Sequence, residues 1–152
     1  MSFNKSRKYK NEDVNHLMLM IEREMKMILL HAAKEKQWNE SLVKGYYGDF
    51  SITKDGFIHC STIENILDVA NDNLKKIEEP LLLLCIDTDL LEAEIKWEKR
   101  GDKEISFPHL YGLLNINAVI DVTSFLKDKN GGFYFPDAFL KYTTLGVSQM
   151  PQ

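Results

Sequence analysis

The run Leu81-Leu82-Leu83-Leu84-Cys85-Ile86, set directly after Pro80, most constrains what this chain can fold into. It is far too short to cross a bilayer and too uniformly apolar for a half-exposed strand. Side chains alternate between the two faces of a strand, so a strand with no polar face must be covered on both. The run is therefore expected to be a central, buried strand between two packed layers.

Around it the chain divides into helical periodicity early and strand signals late. Asn11 as N-cap, with Glu12 and Asp13 suited to the positive end of a helix, opens an amphipathic stretch carried by Val14, Leu17, Met18, Ile21 and Met25. Residues 26–32 read as a first strand with Met27, Leu29 and His31 on one face. Residues 33–44 read as a helix, with Trp38 and Leu42 one turn apart and Gly45 as its C-cap residue. Residues 46–55 read as a loop, given Gly48, Asp49 and the Asp55-Gly56 turn signal. After a strand at 57–60, Ser61 and Glu64 form a Ser-x-x-Glu capping pattern ahead of a stripe of Ile63, Ile66, Leu67, Ala70 and Leu74, which predicts a helix ending near Lys76. Further strands are predicted at 95–98, 118–125 and 133–135, the last ended by Pro136. That order predicts an α+β domain rather than a βαβ repeat.

With 152 residues, 44% hydrophobic and 28% charged, the chain is long enough for one core and short for two domains. A net charge of -4 argues against nucleic acid as a partner, since phosphate binding needs clustered Lys and Arg. Lys5, Arg7, Lys8 and Lys10 do cluster, and read as a solvated, disordered tail. Cys60 and Cys85 are the only cysteines; each lies in an apolar strand, at a spacing that matches no zinc or redox pair. With no secretory signal and no membrane span in view, the expectation is a reduced, cytoplasmic protein, its oligomeric state open.

The chemistry-bearing segment is Gly56-Phe57-Ile58-His59-Cys60-Ser61-Thr62. An extended backbone puts Phe57, His59 and Ser61 on one face and Ile58, Cys60 and Thr62 on the other. Phe107-Pro108-His109-Leu110-Tyr111-Gly112 repeats the pattern, with His109 and Tyr111 sharing a face. Two such segments predict one cleft. His59 titrates near neutral pH and can move a proton, the bland alternative being a part-buried histidine bonded to backbone. Ser61 is read first as the helix N-cap and second as a cleft residue. His31 is a strand-end histidine, either ligand-facing or structural. Glu98 is preferred over Asp102 and Glu104 as a catalytic carboxylate, because a strand holds it more firmly than a loop would. No metal is expected, since His31, His59 and His109 lack any tight ligand spacing. Cys60 should point away from His59, which argues against a cysteine nucleophile, and there is neither a P-loop nor a GxGxxG fingerprint.

Taken together, Met27 to His31, Trp38, Gly45-Tyr46, the 55–62 run, Lys96-Trp97-Glu98 and the 107–112 run resemble the family called domain of unknown function 952. The resemblance spans residues 25–136, leaving 1–24 as an added tail and amphipathic helix and 137–152 as a C-terminal extension. It implies an ADP-ribosyltransferase-like fold, a split, curved β-structure with flanking helices and a cleft between two small sheets. In such enzymes a first-strand histidine contacts the NAD ribose, a second strand supplies an aromatic or hydroxyl residue, and a later glutamate stabilises an oxocarbenium-like transition state. The resemblance thus gives His31 the first role, His59 and Ser61 the second, and Glu98 the third, although Glu98 stands in no transferase glutamate motif. His59 and Glu98 are then the catalytic candidates, and His31, Ser61, His109 and Tyr111 line the substrate site. NAD enters as a substrate, with no tightly bound cofactor. Two other readings stand beside it: a noncatalytic module for a nucleotide or small anionic metabolite, and a protein-interaction adaptor that uses the N-terminal helix.

Overall fold

The computed structural model describes residues 13–17 and 27–143. Residues 13–17 are helical; the rest of the amphipathic stretch expected there, the basic tail and the chain beyond 143 lie outside the described residues. No helix among the described residues is long and apolar enough to cross a membrane.

The apolar run is the centre of the molecule. Strand β4 (Leu81–Asp87) pairs antiparallel with β1 (Ile28–Lys34) on one side and with β8 (Val119–Ser124) on the other. Its side chains divide as a doubly covered strand requires. Leu84 and Ile86 join Leu29 and Ala33 of β1 in one buried cluster, while Leu83 and Cys85 join Ile28 and Leu30 in another. Each fully buried leucine contributes roughly 1.5–3 kcal/mol of transfer free energy, so the two-sided burial of this strand anchors the fold.

The first cluster is closed by a second sheet of β3 (Ile58–His59), β6 (Ser106–Tyr111) and β5 (Glu94–Lys99), in the order β3-β6-β5. Ile58 and Leu110 face each other across β3 and β6 and are wholly buried against the first sheet. The two sheets meet at one backbone bridge, where Leu30 and Ser61 exchange both N–H···O bonds at 2.8 Å. A two-stranded ribbon, β2 (Tyr46–Tyr47) with β7 (Leu114–Asn115), adds Tyr47 and Leu114 to the same cluster. The second cluster is covered by Ile66 and Ala70 and by Phe125, Phe133 and Phe139 from the chain after β4. The architecture is mixed helix and antiparallel sheet, the expected α+β class.

Helix α1 (Glu35–Lys44) ends at Gly45 as expected, in the left-handed conformation at φ 92, but begins two residues later because β1 runs on to Lys34. Residues 46–55 are not a loop. They form β2 and then helix α2 (Asp49–Asp55), bracketed by Gly48 at φ 103 and Gly56 at φ 86. Gly48 is needed for space as well as for its dihedral, since a Cβ there would lie 2.3 Å from Ile58 Cδ1. Helix α3 (Ile66–Asn73) is not capped by Ser61. Both backbone bonds of Ser61 go to Leu30, the N-cap position falls at Asn65, and the turn leading into it is closed by Thr62, whose hydroxyl accepts from Asn65 N at 3.1 Å and whose carbonyl accepts from Ile66 N at 3.0 Å. The helix also stops at Asn73 rather than near Lys76. The strand predicted at 133–135 reduces to a single bridge between Lys127 and Phe133, because Phe133 is drawn into the core beside Phe125.

Candidate functional site

The inner face of the β3-β6-β5 sheet is hydrophobic core; its other face carries the polar residues. Cross-strand register places His59 directly opposite His109, and His109 opposite Lys96. Alternation then brings Phe57, His59, His109, Tyr111, Lys96 and Glu98 to one side. Phe57 stacks on His109 with ring centroids 4.0 Å apart, and the His59 and His109 rings meet edge to face at 5.5 Å. Glu98 Oε1 accepts from His109 Nδ1 at 2.8 Å and from the Tyr111 hydroxyl at 2.6 Å. These bonds, Tyr111's first and His109's second, hold the Glu98 carboxyl below the ordinary carboxylate range, and the same contact raises Tyr111. Lys96 lies over the Tyr111 ring at 4.7 Å.

His59 sits where this face turns towards the first sheet. Its Nε2 donates to Asp55 Oδ2 at 3.2 Å, which leaves Nδ1 as the acceptor nitrogen of the neutral ring. Burial pulls the His59 pKa down more than the Asp55 bond pulls it up, so the ring is neutral at pH 7. Behind it, His31 Nδ1 donates to the His59 carbonyl at 2.5 Å and the Tyr47 hydroxyl donates to His31 Nε2 at 2.7 Å. A carbonyl can only accept, so this arrangement fixes one neutral tautomer. Burial lowers the His31 pKa to about 4 and raises that of Tyr47.

A cavity of about 400 Å³ opens at the junction of the two sheets. Of the residues singled out in the sequence, His31, His59 and Ser61 line it. His109, Tyr111 and Glu98 do not; they continue from it along the sheet face, joined through the contact of the two histidine rings. Ser61 lines the cavity and does not cap α3, whose N-cap position is Asn65. His31 reaches the cavity wall, yet both of its ring nitrogens are already bonded within the protein. Cys60 faces the core, as alternation requires, and burial pushes its thiol up to about 12, which makes it inert.

The cavity also contains residues that the sequence did not single out. Lys54 and Asp55 come from the end of α2, Asn73 from the end of α3, and Arg100 from the residue that follows β5. Asp55 precedes His59 by four residues, a spacing masked by its reading as a turn residue. Arg100 and Glu98 share strand parity, which would have pointed them to one face. Ile66, Val69 and Leu74 give the opposite wall an apolar lining. Among the described residues, no group of three or more His, Cys, Asp or Glu side chains is arranged to hold a metal ion.

Residues 32–122 match the family described as "Protein of unknown function (DUF952)". The fold is similar to the crystal structure of protein CC0527 from Caulobacter crescentus, with a TM-score of 0.63 and 25% identity, covering 71% of this chain and 94% of that one. The solution structure of the same protein gives a TM-score of 0.59 at 24% identity, covering 75% and 95%. No curated protein matches the chain.

Proposed function

This chain belongs to the DUF952 family, and on that footing we propose that the cavity between its two sheets binds a nucleotide-like anionic ligand, NAD or ADP-ribose foremost. The observation that carries this reading is the lining: His59, Ser61, Lys54 and Arg100 converge there from separate elements, opposite an apolar wall. Such a cavity combines an apolar body with a few convergent polar groups, as small-molecule sites do. The reading includes an ADP-ribosyltransferase-like fold, supported by two three-stranded sheets that join at one bridge with the cavity at their junction. It also includes a reduced, cytoplasmic setting, supported by two free, buried cysteines.

Binding without turnover fits the geometry best, because Glu98 is not among the cavity-lining residues. A second reading, transfer or hydrolysis at the nicotinamide glycosidic bond, is favoured by the ionised state in which Tyr111 and His109 hold Glu98, within one ring contact of His59. In that case Glu98 would stabilise developing positive charge. Calorimetric titration with NAD, ADP-ribose and ADP, alongside a nicotinamide-release assay, tests both. Heat and thermal stabilisation without release support the binder, release supports the enzyme, and no response to any nucleotide at millimolar concentration removes the reading.

A further inference from the structure

We propose that Lys54 and Arg100 form a two-armed clamp for a terminal phosphate, so that the cavity takes a phosphomonoester of mononucleotide or sugar-phosphate size. This rests on the nucleotide-like reading of the same cavity for the location of the ligand and narrows it from NAD and ADP-ribose to a monophosphate.

The two cations come from different elements: Lys54 from the last turn of α2, Arg100 from the residue that follows β5. Among the described residues neither has a carboxylate partner. The ion pairs of the neighbouring lysines are Lys44 with Asp49, Lys99 with Glu104 and Lys103 with Asp72. Arg100 instead donates to the Asn73 side-chain oxygen at 3.4 Å, a long neutral contact that aligns the guanidinium and leaves its charge uncompensated. The one carboxylate in the lining, Asp55, accepts from His59 Nε2. Because that ring is neutral, Asp55 keeps its charge, and the lining sets two cations against one carboxylate, which leaves it net positive.

A terminal phosphate carries close to two negative charges near neutral pH and presents three acceptor oxygens. A guanidinium matches it through paired N–H donors, and an ammonium matches it as a point charge. The Ser61 hydroxyl on the same lining adds a donor. A bridging pyrophosphate, as in NAD or ADP-ribose, spreads its charges along a chain and needs room at both ends. At about 400 Å³ the cavity lies near the small end of the usual range of roughly 300–1,000 Å³, which suits one nucleoside or sugar with its phosphate rather than two nucleosides. Ile66, Val69 and Leu74 supply the apolar wall for the body of such a ligand.

The test is calorimetric titration of the full chain with AMP, ribose 5-phosphate, adenosine, NAD and ADP-ribose, repeated on Lys54→Ala, Arg100→Ala and, as a charge control outside the cavity lining, Lys36→Ala. The monophosphates should bind and adenosine should not. Each cavity variant should weaken monophosphate binding by about tenfold or more, as expected for loss of a charge-assisted bond, with Lys36→Ala unchanged. Binding of NAD and ADP-ribose with no binding of monophosphates overturns the clamp and leaves the nucleotide reading standing. Ribose 5-phosphate binding as well as AMP, with NAD and ADP-ribose excluded, supports the clamp and removes NAD and ADP-ribose from the proposed function. Monophosphate binding that Lys54→Ala and Arg100→Ala do not change, or silence from every ligand, overturns the clamp.

Discussion

The Tyr47 hydroxyl donates to His31 Nε2 at 2.7 Å while His31 Nδ1 is committed to the His59 carbonyl, so a buried imidazole ties the β2 ribbon, the central sheet and the histidine-bearing strand together. This makes His31 a strut of the cavity more than a donor to a ligand. Tyr47→Phe removes the hydroxyl without changing ring packing and leaves a buried acceptor unpaired, at a cost of about 1–3 kcal/mol. Chemical denaturation of the variant checks this; a midpoint indistinguishable from wild type would show that the bond contributes nothing.

The same strut makes the fold acid-sensitive. The His31 pKa is about 4 in the folded protein, below the ordinary value of about 6.5. The unfolded chain therefore binds the extra proton first as pH falls. Stability from this group is complete above pH ~6.5 and is lost as pH drops towards 4, by roughly 3 kcal/mol in all. His59, also lowered by burial, acts in the same direction. Urea denaturation at pH 7 and pH 4.5 should show the loss, and His31→Gln should show a smaller difference between the two pH values.

Turn-closing and site roles should separate between adjacent residues. Thr62→Ala deletes the hydroxyl that accepts from Asn65 N and should destabilise by roughly 1 kcal/mol, more if the buried methyl leaves a void. Ser61→Ala keeps both backbone bonds to Leu30 and should change stability by less, while weakening ligand affinity. Paired denaturation curves decide it; a larger loss from Ser61→Ala would show that the Ser61 hydroxyl, and not that of Thr62, holds this turn.

Gly48→Ala should be strongly destabilising for two independent reasons. The backbone at φ 103 is a region that side chains rarely adopt, and the new methyl would meet Ile58, which is wholly buried beneath the site. A loss above ~1 kcal/mol is expected, and Gly48→Ala combined with Ile58→Val should recover part of it relative to the sum of the single changes. Strict additivity would show that the close approach to Ile58 is unimportant.

What could be read from the sequence follows from which forces are local. β4 was legible because six apolar residues in a row can satisfy only one environment, and the pairing of His59 with His109 followed from strand alternation in two segments. Helix α2 was hidden because it is short and set between glycines that read as turn signals. The helix begins after Asn65 and not after Ser61, because a tertiary bridge, Leu30 to Ser61, outbids a local pattern that Ser61 and Glu64 satisfy in sequence. Lys54, Asn73 and Arg100 carry no motif at all; only the packing of α2, α3 and β5 around one space brings them together. The aromatic layer of Phe133 and Phe139 lies beyond the family-matched residues, so periodicity within that segment could not announce it.

The role of Glu98 is the sharpest remaining division between binder and enzyme. Tyr111 and His109 both donate to its Oε1 and favour the ionised form, so Tyr111→Phe should move the Glu98 pKa up towards the ordinary value of about 4.3. Because the folded-state pKa is depressed, stability from this contact is present above the ordinary carboxylate range and fades as pH falls through the folded value; Tyr111→Phe should flatten that dependence. Carboxyl NMR titration of Glu98 measures the shift directly. Glu98→Gln then separates the two functions. A cavity that only binds should keep its ligand affinity in this variant, since Glu98 is not among the lining residues. An NAD-cleaving enzyme should keep NAD affinity but lose nicotinamide release by about 100-fold or more, the usual scale for removing a group that stabilises transition-state charge. Nicotinamide release that survives Glu98→Gln would place the catalytic carboxylate elsewhere, with Asp55 beside His59 the next candidate.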